Sequence, residues 1–167
     1  AESELLKEIA KQPSAARMHA FLGTFYRILG ESDKALEQFE ILKTLSPNKQ
    51  RTLFDIGFTY LARAEYEKAK ETFGEAFTLA PEYDDARANY IISAMYAGDD
   101  ALVSALSAPP YDTLYRGSDR ILQAYYDLKK YDMVLALLDA RIEKNPTDKQ
   151  LRVFKAYAEQ RIKELQK

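Results

Sequence analysis

Apolar side chains along this chain recur at helical spacing. Residues 53–60 place their apolar members on one face of a helix, and residues 69–77 do so again. The short stretch 63–66 between them marks a tight turn, so this part of the chain predicts two amphipathic helices that form a pair. The apolar positions of the pair are Leu53, Ile56, Gly57, Tyr60, Ala69, Phe73, Ala76 and Phe77.

The prolines add a longer period to this pattern. Pro13, Pro47 and Pro81 follow one another at equal intervals. A fixed period of about 34 residues indicates a repeat protein, in which each unit buries its apolar face against its neighbours. The same spacing relates Gly23 to Gly57, Tyr26 to Tyr60, Ala35 to Ala69, and Phe39 to Phe73.

Two of these repeated residues are glycines in the middle of a predicted helix. A glycine there costs about 1 kcal/mol relative to alanine, so a packing reason is expected at Gly23 and Gly57. The missing side chain would let the neighbouring helix approach closely.

The pattern resembles the tetratricopeptide repeat, a helix-turn-helix unit of about 34 residues. Its early tryptophan is absent here, with His19 and Leu53 in its place. The resemblance implies an all-α fold: a right-handed superhelical array of antiparallel helix pairs, or α-solenoid, with a C-terminal capping helix. It is carried in the first full repeat by Leu22, Gly23, Tyr26, Ala35, Phe39 and Pro47, and in the second by Leu53, Ile56, Gly57, Tyr60, Tyr66, Ala69, Phe73, Ala76 and Pro81.

On this basis the whole chain, 1–167, is predicted to be one domain. The first two repeats cover 16–49 and 50–83, and a truncated, irregular third repeat covers 84–110. A fourth covers 111–148, and 149–167 forms the capping helix, whose apolar side is Leu151, Phe154, Tyr157, Ala158, Ile162 and Leu165.

The double proline Pro109–Pro110 lies where the period slips. The interval from Pro81 to Pro146 is three positions shorter than two periods. Because proline cannot continue a helix, the second helix of the third repeat is expected to stop early, and the array to continue beyond it in a shifted register.

The N-terminal residues 1–13 allow two interpretations. They align with the second helix of a repeat, which suggests a fragment cut from a longer protein. Alternatively they form a helix that seals the first repeat, because terminal units of repeat arrays are often atypical.

Composition narrows the classes of function. The chain has 167 residues, of which 47% are hydrophobic, enough to build a core. Lys and Arg number 24 against 26 Asp and Glu, so charge gives no case for nucleic acid or an anionic membrane. No apolar run approaches the roughly 18–20 residues that a membrane span needs. Both a cytoplasmic and a periplasmic location stay open.

Candidate chemistry is nearly absent from the sequence. There is no cysteine, and the single histidine, His19, falls at a core-facing repeat position, where packing is its expected role. No phosphate-binding glycine loop, nucleophile elbow or zinc helix motif is present. We therefore expect neither enzymatic activity nor a cofactor or metal.

The resemblance implies instead a scaffold that binds a peptide segment or partner helix. In this family, the first helix of each repeat lines a concave surface. Carried over by position, the expected groove residues are Arg51, Phe54, Phe58, Leu61, Asn89, Ile92, Tyr96, Arg116, Arg120, Gln123 and Tyr126. Further residues at these positions are Arg17, Ala20, Thr24, Arg27, Asp55, Asp85, Ala88, Met95 and Asp119.

Five of these residues would form an apolar strip in an otherwise polar groove. They are Phe54, Phe58, Ile92, Met95 and Tyr96. Large apolar side chains on a concave face suggest a partner that covers them.

A carboxylate clamp is a further expectation to test. Some family members hold a C-terminal carboxylate with Lys, Asn, Asn, Lys and Arg, and Asn89, Arg116 and Arg120 match three of these five positions. Phe54 and Phe58 stand where the first Lys and Asn belong. The alternative is that the two arginines only solvate a helix start, and a start at Ser118 would leave Arg116 outside the helix.

A structural role is the alternative function. The array would be a spacer or an assembly element, packing against its parent protein or self-associating through Leu5, Leu6 and Ile9 of the N-terminal helix. Residues 111–146 also look similar to the soluble repeats of bacterial membrane proteins of the O-antigen ligase and polymerase type. That similarity would make the parent an envelope-polysaccharide protein.

Overall fold

A computed structural model describes residues 3–4, 7, 11, 15–109 and 112–165, and every regular element in these ranges is a helix. The all-α prediction is therefore confirmed. The predicted N-terminal helix lies largely outside the described residues, which do not include Leu5, Leu6 and Ile9. The helices from residue 16 onward are α1 Ala16–Ile28, α2 Ser32–Leu45, α3 Gln50–Ala62, α4 Tyr66–Leu79, α5 Asp84–Ala97, α6 Asp100–Ser107, α7 Asp112–Gly117, α8 Asp119–Asp127, α9 Tyr131–Lys144 and α10 Lys149–Leu165.

The chain divides into two compact units, Ala1–Ala86 and Arg87–Lys167. The single domain over 1–167 stays a prediction. In the first unit, α1 packs against α2 and α3 against α4, while α2 also contacts α3. The core around the first pair consists of Leu22, Tyr26, Ala35, Phe39, Leu42 and Ile56.

The two mid-helix glycines of the first unit have the expected packing role. Gly23 faces the ring of Phe39, and Gly57 faces the ring of Phe73. Both rings are fully buried. A Cβ on Gly57 would lie only 2.6 Å from Cζ of Phe73, which is far inside van der Waals contact. The repeated Gly–Phe pair thus sets how closely the two helices of each repeat approach.

Four helix pairs share one turn, in which the chain reverses through a residue with positive φ. These residues are Gly30, Ala64, Gly98 and Lys129. In the first turn, the N–H of Glu31 donates to the carbonyl of Tyr26 at 2.9 Å, and the N–H of Gly30 donates to Arg27. These two bonds form a Schellman motif. The same pair of bonds recurs at the ends of α3, α5 and α8, so the same turn joins α5 to α6 and α8 to α9.

The turn residues also locate the slip in the period. Gly30, Ala64 and Gly98 follow one another at the full period, whereas Lys129 comes three positions early. In the second unit, α6 has 8 residues, whereas α9 has 14. The predicted early stop before Pro109 is therefore present. The lost length lies between α6 and α8, where the six-residue helix α7 replaces the missing turns.

Side chains cap the helices on both sides of the irregular region. Asp99 accepts the N–H of Leu102 at 3.0 Å and so begins α6. Ser118 accepts the N–H of Ile121 and begins α8, the start that the sequence analysis gave as an alternative. Arg116 accordingly lies on α7, before α8 starts.

His19 is buried, with 3% of its surface exposed, and its Nδ1 lies 2.9 Å from Oε1 of Gln38 on α2. The predicted packing role fits this position. No group of three or more His, Cys, Asp or Glu side chains that could hold a metal occurs within the described ranges. None of the helices described is long and apolar enough to cross a membrane.

Candidate functional site

In the first unit, the predicted groove residues belong to an aromatic cluster. Phe54 and Phe58 on α3 are half-buried, and their ring centroids lie 6.2 Å and 5.3 Å from that of Phe73. Phe54 also stacks on Tyr83 at 6.3 Å. Leu61 is half-buried, while Arg51 is exposed and pairs with Asp55. These aromatic rings already pack against others of the same unit.

In the second unit, two of the three residues of the expected apolar strip are buried. Ile92 and Met95 on α5 are 6% and 2% exposed, and Asn89 is 2% exposed. Helix α5 carries apolar or small side chains around most of its circumference, as is typical of a helix buried on several faces. Tyr96 stays half-exposed and donates its hydroxyl to Oδ2 of Asp127 at 3.0 Å.

Two of the three proposed clamp residues contact each other. The Arg120 guanidinium donates to the side-chain oxygen of Asn89. Arg116 is separate: it lies on α7, 3.7 Å from the carboxylate of Asp112. The structure thus brings Asn89 and Arg120 together without Arg116, and the carboxylate clamp stays a prediction.

A cleft of the second unit lies over α9, between α8 and α10, with a volume of about 700 Å³. We call it the α8–α10 cleft. Predicted groove residues Gln123 and Tyr126 line it. Its floor is apolar, because Val134, Leu138 and Ala158 are buried beneath it. The full lining is Asp119, Leu122, Gln123, Tyr126, Val134, Leu138, Arg141, Asp148, Gln150, Leu151, Phe154, Tyr157 and Ala158.

Aromatic side chains form one part of the lining. The rings of Tyr126 and Tyr157 stack with centroids 6.3 Å apart, and Tyr131 meets Tyr126 edge-on at 5.5 Å. The guanidinium carbon of Arg161 lies 5.7 Å from the centroid of Tyr157. Hydrogen bonds with Tyr157 and with Arg161 lower the pKa of Tyr126, and the bond with Tyr126 raises the pKa of Tyr157.

Charged side chains form another part. Arg141 Nη1 donates to Asp119 at 2.6 Å, and its Nε donates to the carbonyl of Arg116 at 2.7 Å. Asp148 caps α10, with its Oδ1 accepting the N–H groups of Gln150 at 2.9 Å and Leu151 at 3.3 Å. Arg141 therefore ties α9 to the start of α8 and to α7.

The sequence interpretation missed Phe154 and Tyr157. It placed them on the apolar side of a capping helix and not among the groove residues, and they are 61% and 49% exposed. The repeat period could have identified Tyr157 as a groove residue. Position 149 lies as far after Pro146 as position 50 lies after Pro47, so Tyr157 corresponds to Phe58.

The face of α10 that corresponds to Leu53, Gly57 and Tyr60 carries Arg152, Ala156 and Glu159, all of them exposed. Helix α10 therefore combines an exposed face of polar or small residues with a cleft-lining face.

Comparisons with known proteins agree with this architecture. A family model described as tetratricopeptide repeat matches residues 50–83. No curated protein shows a significant match to the sequence. One similar solved structure is TTC0263, a tetratricopeptide repeat protein of Thermus thermophilus, at 19% identity and a TM-score of 0.60, covering 94% of this chain and 88% of that one. Another is YrrB, described as a tetratricopeptide repeat protein with an unusual peptide-binding site, at 15% identity and a TM-score of 0.60, covering 95% and 83%.

The resemblance of residues 111–146 to O-antigen ligase and polymerase proteins gains no support from these matches and stays a prediction. The repeat resemblance, in contrast, is supported over residues 50–83 by the family model and over most of the chain by the fold. The chain therefore has the helical-repeat solenoid fold of tetratricopeptide repeat proteins.

Proposed function

We propose that this chain is a protein-interaction module that binds a peptide segment of a partner protein in the α8–α10 cleft. Proteins with this fold typically bind protein or peptide partners and typically act as scaffolds rather than as enzymes. YrrB, which has the same fold, is described as having a peptide-binding site, and this supports the same role here. The observation that carries the proposal is the exposure of Phe154 and Tyr157 over an apolar cleft.

Phe154 and Tyr157 expose 61% and 49% of their surface beside the apolar floor of the cleft. Phe154 makes no ring contact with another aromatic side chain among the described residues, and most of its surface is open to solvent. Phe54 and Phe58, in contrast, pack on Phe73 within their own unit. Burying an exposed aromatic side chain against a partner is a main source of binding free energy, because large rings remove much apolar surface from water. The cleft is therefore a better candidate than the first-unit cluster.

A selection from a random peptide library displayed on phage tests this role. A selected peptide is synthesised with a fluorophore, and its affinity is measured by fluorescence polarisation. We expect the double variant Phe154→Ala, Tyr157→Ala to weaken binding about tenfold or more, as aromatic anchors typically do. Helicity, measured by circular dichroism, should not change, because both side chains are largely exposed.

Phe21 on α1 provides a matched control. It is 62% exposed, close to Phe154, and holds the equivalent position of the first repeat. Phe21→Ala should leave the affinity within about twofold, the change expected of a surface side chain outside the contact. Equal losses for the two variants, or a larger loss for Phe21→Ala, would contradict a site in this cleft.

The predicted groove residues of the first unit, Arg51, Phe54, Phe58 and Leu61, remain a separate proposal. Phe58→Ala in the same assay tests them. A loss of affinity confined to Phe58→Ala would indicate that the binding site lies on α3.

Self-association through the N-terminal helix is tested by light scattering of a variant with Leu5, Leu6 and Ile9 made polar.

A further inference from the structure

The charges around the α8–α10 cleft are unevenly distributed. Two carboxylates line it, Asp119 at the start of α8 and Asp148 at the start of α10. Among the described lining residues, Arg141 is the one cation. The Arg141 side chain is 13% exposed, and the Asp119 side chain is 91% exposed. A molecule entering the cleft therefore meets the carboxylate of Asp119 before the guanidinium of Arg141, while Asp148 is half-buried.

The bonds within the cleft leave acceptor capacity on both carboxylates. Asp119 receives one bond, from Arg141 at 2.6 Å, and Asp148 uses Oδ1 to cap α10. Their second oxygens have no hydrogen-bond partner among the described residues. Arg141 is engaged in two directions, because it also donates to the carbonyl of Arg116. Its buried Nη2 has no hydrogen-bond partner among the described residues.

The aromatic part of the cleft favours the same sign of charge in a ligand. The faces of Phe and Tyr rings carry partial negative charge and attract Lys or Arg side chains. Arg161 already uses this attraction at Tyr157, and its own charge is balanced by Glu164 at 2.8 Å. Phe154 offers an exposed face with no cation stacked on it in the described part of the chain.

The size of the cleft limits what can enter. Pockets of roughly 300–1,000 Å³ bind small molecules or a few side chains, and about 700 Å³ falls within that range. A short extended segment with one or two apolar side chains fits this volume better than a whole helix, which needs a long open groove.

We propose that the occupant is a short peptide segment of a partner protein that combines an apolar anchor with an adjacent Lys or Arg. The anchor covers Leu122, Phe154 and Tyr157, and the basic side chain lies against Asp119 and Asp148. This inference rests on the proposed function and adds the charge of the ligand to it.

The test uses the same phage selection and then a matched pair of synthetic peptides. The first peptide is the most enriched heptapeptide, and the second is its counterpart with Lys or Arg replaced by Glu. We expect apolar residues next to Lys or Arg among the enriched sequences. We also expect weaker binding of the first peptide at higher NaCl, because exposed charge pairs are screened.

A charge-neutralising variant keeps the local geometry. Asn caps helices as well as Asp does, so Asp148→Asn retains the start of α10. Asp119→Asn keeps an oxygen for Arg141. The combined variant should weaken the basic peptide about three- to tenfold, because exposed ion pairs are individually weak, and should reduce the difference from the Glu peptide. Asp139→Asn is the control. It removes one exposed carboxylate of α9, which pairs with Lys155 and does not line the cleft. This variant should change the affinity less than about twofold.

The outcomes separate this inference from the proposed function. Two results would overturn the charge inference alone, provided that binding still needs Phe154 and Tyr157. The first is that the selected peptides show no preference for Lys or Arg. The second is that they bind the Asp119→Asn, Asp148→Asn variant as well as the wild type. Enrichment of acidic peptides would also overturn it. Failure to enrich any peptide, or binding that ignores Phe154 and Tyr157, would overturn both.

Discussion

Gly57→Ala is the sharpest test of how the helix pairs are packed. A Cβ at position 57 would lie 2.6 Å from one ring atom of Phe73 and 2.8 Å from two others. Ordinary contact between carbon atoms is about 3.5–4.0 Å, so the ring must move by about 1 Å. Phe73 is completely buried and cannot turn into solvent.

Two opposing effects set the magnitude. Overpacking a dense core by one methyl group costs about 1–3 kcal/mol, and more when a ring has no free space. Replacing glycine by alanine inside a helix returns about 1 kcal/mol. With three ring atoms below 3.0 Å, the clash should prevail, and we expect a net loss of about 1–2 kcal/mol in the free energy of unfolding.

Urea denaturation followed by circular dichroism measures this loss as a lower midpoint at unchanged slope. Phe73→Leu provides the control, because a smaller side chain opens space for the new methyl group. The double variant Gly57→Ala, Phe73→Leu should be more stable than the sum of the two single effects, by about 0.5–2 kcal/mol. An unchanged or higher midpoint for Gly57→Ala alone would refute the close-approach explanation.

Three further predictions concern stability. Ala64 has a φ of 57° at the end of α3, so Ala64→Gly should raise the free energy of unfolding by about 0.5–1 kcal/mol, measured by urea denaturation. The buried Oγ1 of Thr52 has no hydrogen-bond partner among the described residues, so Thr52→Val should stabilise by about 1 kcal/mol. Thr59→Val, which removes a 2.7 Å bond to the carbonyl of Asp55, should not stabilise; a gain for both would contradict this reasoning. Hydrogen bonds from Lys68 and Arg63 lower the pKa of Glu65. The contribution of Glu65 to the free energy of unfolding is therefore present above the ordinary Glu pKa and is lost as pH falls through the lowered value. Urea midpoints of the wild type and Glu65→Gln should therefore differ at pH 7 and converge once the pH lies below the lowered pKa of Glu65, and a constant difference would count against the pairing.

The repeat spacing is enough to predict most of the fold. Residues such as Gly57 and Phe73 recur with the period because each helix pair needs the same close approach, so one pattern predicts both the helices and their partners. The early stop of α6 is equally predictable, since proline excludes helix on physical grounds. The division into two units could not be predicted, because the repeat spacing carries no information on how strongly one repeat contacts the next.

The candidate site is predicted only in part. Gln123 and Tyr126 line the α8–α10 cleft, but Ile92 and Asn89 are buried, because family positions do not take account of the apolar composition of α5. Phe154 and Tyr157 were missed for a related reason. A helical wheel identifies the apolar side of α10 but not where that side meets α9 and where it meets solvent.

The shared Schellman turn has a consequence for where length can vary. Two main-chain bonds close each pair, and the left-handed position accepts Gly, Ala or Lys, so the turn constrains the number of residues far more than their identity. The three missing positions were accordingly lost between α6 and α8, outside any turn. Insertions or deletions engineered into this chain should therefore be tolerated in the segments that link one helix pair to the next, and whole pairs, rather than single helices, are the units that can be exchanged.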